Sequence, residues 1–489
     1  MRFLHFSLGL TKLTALTTLF LGSASSLPNT PKHDTVNNPI ITRDVAIIGG
    51  GPSGTYAAVR LQQLGHSVIL IEREDQLGGH THTYYDSGTP IDYGVWVYSN
   101  TSEARSFFAH LDIPTIIESL SGDPNANQRI DFRTGERVPP PSGNVTEAMT
   151  RYVLLLLQHP YLADGFDLPD PVPEDLLLPF VEFIEKYDLA PAVEILTLYV
   201  QGFADILTYP TLYIMKYFSL LVVEGVQNGF LRPQSRANAD IYRAAQDTLG
   251  TENVLLSSTI IHMHRPPANP NTSTSTSTNT NTTINTNPNT HIITLQTPTG
   301  IRTIHTNKTI LATPPIPSLT PLDLNTHELT TFSKFRSSSY TTSILHIPNL
   351  PQGTQFINAG ANTPYHITPL PGIYVLSPTS NPDLHLAFFG GGEFDRPEVE
   401  IQARISQNVL SLRGAGYGVE EPGFVAYRNH FPFGLHVGAG DIRGGFYREL
   451  YGLQGYRGTW YTGAAWHAHD SAALWRFTER VLREGGFYS

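Results

Sequence analysis

Apolar and polar positions along the chain follow two different periods. Val45–Ile48 is a short unbroken apolar run, the pattern of a strand buried on both faces. Behind it TYAAVRLQQLG (Thr55–Gly65) places apolar residues at helical spacing, and SVILIE (Ser67–Glu72) is a second short apolar run. Between about 101 and 230 the pattern changes. PEDLLLPFVEFIEKYDLAPAVEILTLYV and YPTLYIMKYFSLLVV repeat apolar residues every three to four positions and are interrupted by prolines, which predicts several packed helices. Their aromatics are assigned mostly to core, with a minority expected to line a cavity. IYRAAQDTLG predicts a helix ended by Gly250. Strands are expected in ENVLLSSTIIHMHR, HIITLQT, NKTILATPP, SSYTTSILHI and LHLAFFG. The C-terminal GTWYTGAAWHAHDSAALWRFTERVL predicts a strand, a glycine turn and a helix.

These elements predict an α/β fold with two domains that interleave along the chain. A Rossmann-like domain is expected from residues 44–100, 231–330 and 440–489. A second domain of helices and a mixed sheet is expected from 101–230 and 331–439. Residues 266–290 are polar and of low complexity. They cannot bury apolar area, so they are expected to form a disordered loop at a hairpin tip, away from the chemistry.

The loop between the first strand and the first helix carries the clearest chemical signal. In DVAIIGGGPSG, Gly49, Gly51 and Gly54 fill a G-x-G-x-x-G pattern. Gly49 permits the tight turn, Gly51 lets the backbone approach a pyrophosphate, and Gly54 lets the helix pack close to the strand. Glu72, ending the second strand, suits a ribose hydroxyl pair. Strand, glycines, helix, strand and acid occur in register, which predicts a dinucleotide-binding unit rather than an incidental glycine-rich turn.

Composition narrows the partners. The chain has 489 residues, enough for two sizeable cores, and a net charge of −11, which excludes a basic nucleic-acid surface. It has no cysteine, so disulfides, thiolate metal sites, cysteine nucleophiles and cysteine-linked flavins are all excluded. Residues 1–26 read as a signal peptide, with Arg2 before a largely apolar stretch and small residues near Ala24; an uncleaved anchor is the alternative. Sequons at Asn100, Asn144, Asn271, Asn281 and Asn307 agree with a secretory, N-glycosylated protein, either secreted or in the lumen of the endoplasmic reticulum or a vesicle.

After Glu72 the chain reads REDQLGGHTHTYYDSGTPIDYGVWVY. This resembles the flavin-containing amine oxidoreductase superfamily, in which a Gly pair (here Gly78 and Gly79) precedes a segment that passes the isoalloxazine (here Asp92, Gly94 and Trp96). The C-terminal YTGAA, Tyr461–Ala465, is similar to the superfamily's F-A-G-E segment, whose following helix points N–H groups at the flavin pyrimidine. Within it, LGGHTHTYYD, IDYGVWVY and TGAAWHAHDSAALWRFTE resemble the fungal β-cyclopiazonate dehydrogenase (oxidocyclase) family. More distantly, EDLLLPFVEFI, TLYIMKYF, FSKFRSSSY and YGLQGYRGTWYTG resemble bacterial polyunsaturated fatty-acid isomerases. The resemblance implies FAD. It also implies a cofactor-binding set of Gly49, Gly51, Pro52, Ser53, Gly54, Glu72, Arg73, Gly78, Gly79, His80, Thr81, Gly94, Val95, Trp96, Ile260, Gly463, Ala464 and Ser471.

The chain departs from the amine oxidases at three places. His80 stands where they have Arg, Ala464 where they have Glu, and SSSYTTSILHI lacks the Lys expected there, with Lys334 shortly before. Ordinary amine oxidation is therefore expected less firmly than flavin binding. His80, with His82 nearby, is expected either to link covalently to the flavin methyl group or to pack and hydrogen-bond beside it. His467, His469 and Asp470 lack a third ligand at workable spacing, so no metal is expected. His436 and Tyr340 are candidates for taking a substrate proton, each with a structural role as the alternative, and Trp466 is expected beside the flavin or in the core. The implied reaction is hydride abstraction from a hydrophobic secondary metabolite (alkaloid, terpenoid or polyketide), giving a desaturated, oxidised or cyclised product, with O2 as a plausible acceptor. A lipid double-bond isomerase, an amine oxidase and a non-catalytic flavin protein are the rivals. The oligomeric state is left open.

Overall fold

Two seven-stranded sheets are found among the described residues. In the first, the strands run in the order Val254–Leu255, Val68–Ile71, Ile41–Ile48, Gly300–Leu311, His291–Thr297, Thr259–His264, with Thr459–Tyr461 also paired to Gly300–Leu311. The first four strands and Thr459–Tyr461 are parallel, and the last two form an antiparallel edge. The short apolar runs follow from this position. Ala46, Ile48, Ile69 and Ile71 face one core, while Val45, Ile47, Val68 and Leu70 face the other, so no polar alternation survives.

The parallel register aligns strand ends that are far apart in sequence. Ile48 lies opposite both Ile71 and Leu311, and Leu311 lies opposite Tyr461. Each chain therefore leaves the sheet at one edge, and the backbone ladder continues past it. Gly49 N–H donates to the Ile71 carbonyl at 2.9 Å, Ala312 N–H to Ile48 at 2.8 Å and Thr462 N–H to Leu311 at 2.9 Å. The helix after the glycine loop, Pro52–Gln63, packs against the C-terminal helix, Ser471–Glu484. Tyr56 and Trp475 stack at 6.0 Å, and the Trp475 indole N–H donates to the Pro52 carbonyl at 3.1 Å.

The second sheet runs in the order Gly423–Asn429, Arg336–His346, Leu384–Gly392, Gly372–Pro378, Phe356–Asn358, Gln128–Ile130, with Phe433–His436 also paired to Arg336–His346. The helix Glu398–Ser411 covers it through Ile401, Ile405 and Val409. The proline-interrupted region forms short helices, including Val145–Leu156, Phe180–Lys186, Val193–Tyr199, Thr211–Tyr217 and Leu220–Asn228. The prolines account for their brevity, since each removes a backbone donor and ends or starts a helix.

A buried ionic cluster ties the separated stretches together. Arg265, fully buried, pairs with Asp323 at 2.7 Å and Glu328 at 2.7 Å, and Arg457 reaches Asp323 at 2.7 Å. Arg265 leaves the hairpin, Glu328 caps its own helix, and Arg457 precedes the last strand, so the cluster locks the middle of the chain to its end.

The computed structural model describes residues 40–120, 127–267, 289–320 and 322–488. The expected signal peptide and most of the 266–290 stretch, with Asn271 and Asn281, lie outside the described residues. The two strands flanking that stretch pair antiparallel. Among the described residues no helix is long and apolar enough to cross a membrane.

Candidate active site

The crevice at the aligned strand ends is built from glycine contacts. A Cβ on Gly54 would lie 1.8 Å from the Gly49 carbonyl oxygen, so only glycine lets the helix start this close to the strand. Gly78 N–H donates to the Gly50 carbonyl at 2.8 Å, and Gly79 lies against Gly51, which brings the Gly pair onto the glycine loop. Gly463 and Gly49 both border Ala312. Glu72 is buried at the end of its strand; its carboxylate accepts from Gly50 N–H at 2.6 Å and Glu74 N–H at 2.9 Å. Pro52 and Ser53 open the helix, and Ser53 is buried.

The segment expected beside an isoalloxazine is held by groups not singled out from the sequence. Val95 N–H donates to the His80 carbonyl at 3.0 Å and Tyr93 N–H to that of His82 at 2.9 Å. A Cβ on Gly94 would lie 2.0 Å from the His80 oxygen. The Asn238 side chain donates to the carbonyls of Val95 at 2.7 Å and Trp96 at 3.0 Å. Asp92, buried, accepts from Arg232 at 3.2 Å and from Asn238 N–H at 3.1 Å. Burial pushes its carboxyl up to about 6 despite these donors.

Other expected residues have more modest places. Arg73 is exposed beside Glu74 at 3.4 Å. Thr81 Oγ1 bonds the Tyr242 hydroxyl at 3.2 Å, and Ile260 lies partly exposed on the antiparallel edge of the first sheet. Ala464 follows Gly463 into a single turn, and Ser471 opens the C-terminal helix. The first N–H groups of that helix, Ala472 and Ala473, are taken by the Asp470 carboxylate, to which Ser99 also donates at 2.7 Å. Lys334 is paired with Glu449 at 3.1 Å.

Where this crevice meets the second sheet, four histidines gather. The His80 ring stacks on His430 at 4.3 Å and lies 5.9 Å from His469; His82 lies 5.8 Å from His430. Phe433 stacks on His469 at 3.9 Å, and Tyr340 stands 4.9 Å from Phe433 and 6.0 Å from His430. Tyr340 donates its hydroxyl to Gln201 at 3.1 Å, and His469 Nε2 accepts from Gly434 N–H at 3.2 Å. His430 Nε2 and His82 Nδ1 are buried without a hydrogen-bond partner. His436 lies one layer away, buried, bonded through Nδ1 to the Gly434 carbonyl at 2.8 Å and packed on Tyr209 at 4.5 Å. Trp466 is fully buried core, stacked on Tyr461 at 4.9 Å and Tyr451 at 6.0 Å.

His430 escaped the sequence reading because nothing local sets it apart from His436 in NHFPFGLHV; its importance comes from a partner some 350 residues away in sequence. Among the described residues no group of three or more His, Asp or Glu side chains is arranged to hold a metal ion.

Glycine cradle, strand-end carboxylate of Glu72 and buried unpaired imidazole nitrogens fit a flavin dinucleotide, whose phosphates need close backbone and whose ring offers polar edges. The cluster is neutral. Burial, followed by Arg73, lowers His80 to about 4; burial, followed by Arg428 and His80, lowers His82 to about 3. His430 and His469 are pushed well below the usual histidine range by burial and by their neighbours. Between the ordinary histidine value of 6.5 and about 4, the unfolded chain binds protons that the folded chain refuses, so this cluster makes stability rise with pH across that window. The unfolding midpoint of the protein is expected to drop on acidification through that range, and His80→Asn is expected to flatten the dependence; a midpoint that holds or rises toward acid contradicts a neutral cluster.

Comparison with known proteins agrees with this geometry. Residues 47–111 match the family model of the NAD(P)-binding Rossmann-like domain. The FAD-dependent oxidoreductase oblC of Cochliobolus heterostrophus is 32% identical over 96% of this chain and 97% of that protein. The β-cyclopiazonate dehydrogenase of Aspergillus flavus is 32% identical over 90% of this chain and 92% of that protein. Among solved structures, a fatty acid isomerase from P. acnes superimposes with a TM-score of 0.69 at 19% identity, over 90% of this chain and 98% of that one. A putrescine oxidase gives 0.59 at 18% identity, over 91% and 99%. The structural likenesses establish the fold, an α/β two-domain architecture, and the sequence relatives establish the family: this chain belongs to the fungal FAD-dependent oxidoreductases, alongside the β-cyclopiazonate dehydrogenases.

Proposed function

We propose that this enzyme oxidises a hydrophobic secondary metabolite, an alkaloid, terpenoid or polyketide, at a C–H bond, and releases a desaturated, oxidised or cyclised product. The observation that carries this reading is the neutral cluster of imidazoles and aromatics at the junction of the cofactor crevice and the second sheet. FAD, when bound, supplies the hydride acceptor. The glycine loop and Gly79 admit its phosphates, Glu72 its ribose, and His80 with Gly94–Trp96 the edge of its ring system.

What remains for the protein is to exclude water and move a proton. Phe433, Tyr340 and the stacked imidazoles provide a largely apolar wall. His430 and His82 each keep one buried ring nitrogen without a partner, which offers a lone pair toward a substrate proton, while the burial that keeps both rings neutral also makes them weak bases until the substrate's own charge compensates. His430 stands nearer the second sheet and is the stronger candidate; Tyr340 orders its surroundings through Gln201. We take molecular oxygen as the final acceptor.

Screening fungal metabolites for anaerobic bleaching of the yellow chromophore tests the reading. Prenylated or polycyclic apolar compounds are expected to bleach it, and air to restore the colour. Small hydrophilic amines acting far better would overturn the substrate class, and turnover without any acceptor would make the enzyme an isomerase.

A Cβ on Gly51 would meet nothing closer than Gly79 at 3.7 Å, so alanine is tolerated by the protein itself yet intrudes on a pyrophosphate. Gly51→Ala is expected to keep the unfolding midpoint of the FAD-free protein while weakening FAD about tenfold or more, about 1.4 kcal/mol, by titration of stripped protein; unchanged affinity would remove the pyrophosphate from this loop.

We hold His80 to be a packing partner of the cofactor rather than its covalent anchor, since its ring is already stacked at 4.3 Å on His430. Acid precipitation is expected to leave the flavin in solution; flavin retained in the pellet would assign a covalent link, with His80 the residue to map.

A further inference from the structure

A cavity of about 330 Å3 opens beside the ring cluster, between residues 197–207 and 363–374. That volume lies in the lower part of the range that small-molecule sites occupy. Val200, Phe203, Ile206 and Leu207 form one wall, and Ile367 and Pro369 face them. The polar contributors are threonines, the Tyr374 hydroxyl and Asp205, and neither Lys nor Arg lines the space. Asp205 is already engaged, accepting from Leu207 N–H at 3.2 Å. The Tyr374 hydroxyl is engaged as well, donating to the Phe203 carbonyl at 2.8 Å.

Phe203 belongs to both places. Besides lining the cavity, its ring lies 4.7 Å from Tyr217 and 6.4 Å from His436, and Tyr217 lies 5.8 Å from His469. A layer of two rings, Phe203 and Tyr217, therefore lies between the cavity and His469. The backbone around that layer is pinned on both sides. Gly202 N–H reaches the Tyr374 hydroxyl at 3.3 Å, and the Ser338 hydroxyl bonds the Gly202 carbonyl. The opposite lip contains two consecutive left-handed residues, Tyr365 at φ 52° and His366 at φ 55°, each a conformation that persists only where its surroundings impose it. They are held by Gly360, whose N–H donates to the His366 carbonyl at 3.2 Å and whose carbonyl lies 3.0 Å from His366 Nδ1. A shaped, apolar space with a held lip is the form of a ligand subsite rather than of a packing defect.

We propose that this cavity receives an uncharged hydrocarbon arm of the substrate, whose reacting carbon lies at the imidazole cluster beyond Phe203 and Tyr217. The proposal rests on the reading of the cluster as the reaction site. It chooses among hydrophobic substrates by charge. A free carboxylate in the cavity would find no cation to pair with and would meet Asp205, so burying it there would be costly. A neutral hydrocarbon chain loses nothing by leaving water and gains in proportion to the apolar surface it buries.

The test uses the FAD-loaded full chain and two probes sharing one hydrocarbon chain, farnesol and farnesoic acid, titrated calorimetrically. Farnesol is expected to bind, and farnesoic acid to bind about tenfold more weakly or worse. Ile367→Trp, which fills the cavity, is expected to weaken farnesol by a similar factor while FAD content and unfolding midpoint stay unchanged. Leu207→Phe provides the same obstruction from the other wall should Ile367→Trp not fold. No farnesol binding to the unmodified protein, equal binding after the cavity is filled, or equal affinity for the acid would each overturn the proposal. Loss of FAD binding by the unmodified protein would instead overturn the reading of the site.

Discussion

Parallel register is the constraint on which this molecule depends. Because Ile48, Ile71, Leu311 and Tyr461 are matched across adjacent strands, four connections from distant parts of the chain leave the sheet at one edge. Each carries a different piece of the crevice at the strand ends: the glycine loop, Glu72, Ala312, and the Gly463 turn. A slip of one residue in any strand would turn its side chains to the other face and move its terminal loop away from the rest. Both runs, Val45–Ile48 and Val68–Ile71, are apolar on both faces, so register is set instead at the strand ends, where Gly49, Ala312 and Thr462 N–H continue the ladder and Gly54 packs on the Gly49 carbonyl.

The long excursions between these strands do not loosen the arrangement, because polar locks span them. Arg265, Asp323, Glu328 and Arg457 come from three separate stretches and are mutually paired, with Arg265 and Glu328 fully buried and Asp323 partly open to water. Removing one partner of such a buried set typically costs about 3–5 kcal/mol, since the remaining charge stays desolvated. Asp92, Arg232 and Asn238 act similarly on a smaller scale, holding Gly94–Trp96 against the His80 carbonyl.

At the meeting of the two sheets the chemistry changes from charged to neutral. His80, His430, His469 and Phe433 are stacked, with His82 and Tyr340 tilted against them, and burial disfavours protonation of the four imidazoles. A charged histidine there would repel its neighbours, so the cluster favours the neutral form of each ring. The amine oxidases' Arg is replaced at this junction by His80, and the nearby Lys334 is paired with Glu449. These two facts separate this enzyme's site from theirs more than the shared architecture unites them.

The glycine spacing, the two apolar runs and Glu72 were legible in order along the chain, because a nucleotide-binding turn is a local structure whose requirements fall within some thirty residues. The helical character of 101–230 was equally legible from apolar spacing, and its prolines accounted for the short helices. The Gly78–Gly79 pair and the Gly463 turn were reached through family resemblance rather than through local physics. Tertiary structure alone placed Trp466 in the core, tied the helix N–H groups of Ala472 and Ala473 to Asp470, and chose His430 over His436 as the imidazole stacked on His80. It also revealed Asn238 and Arg232 as the groups that hold the ring-side segment. The division has a physical cause: backbone conformation and periodic burial are governed by neighbours in sequence, whereas the environment of a side chain, and hence its charge and its use, is governed by neighbours that only folding brings within a few ångströms.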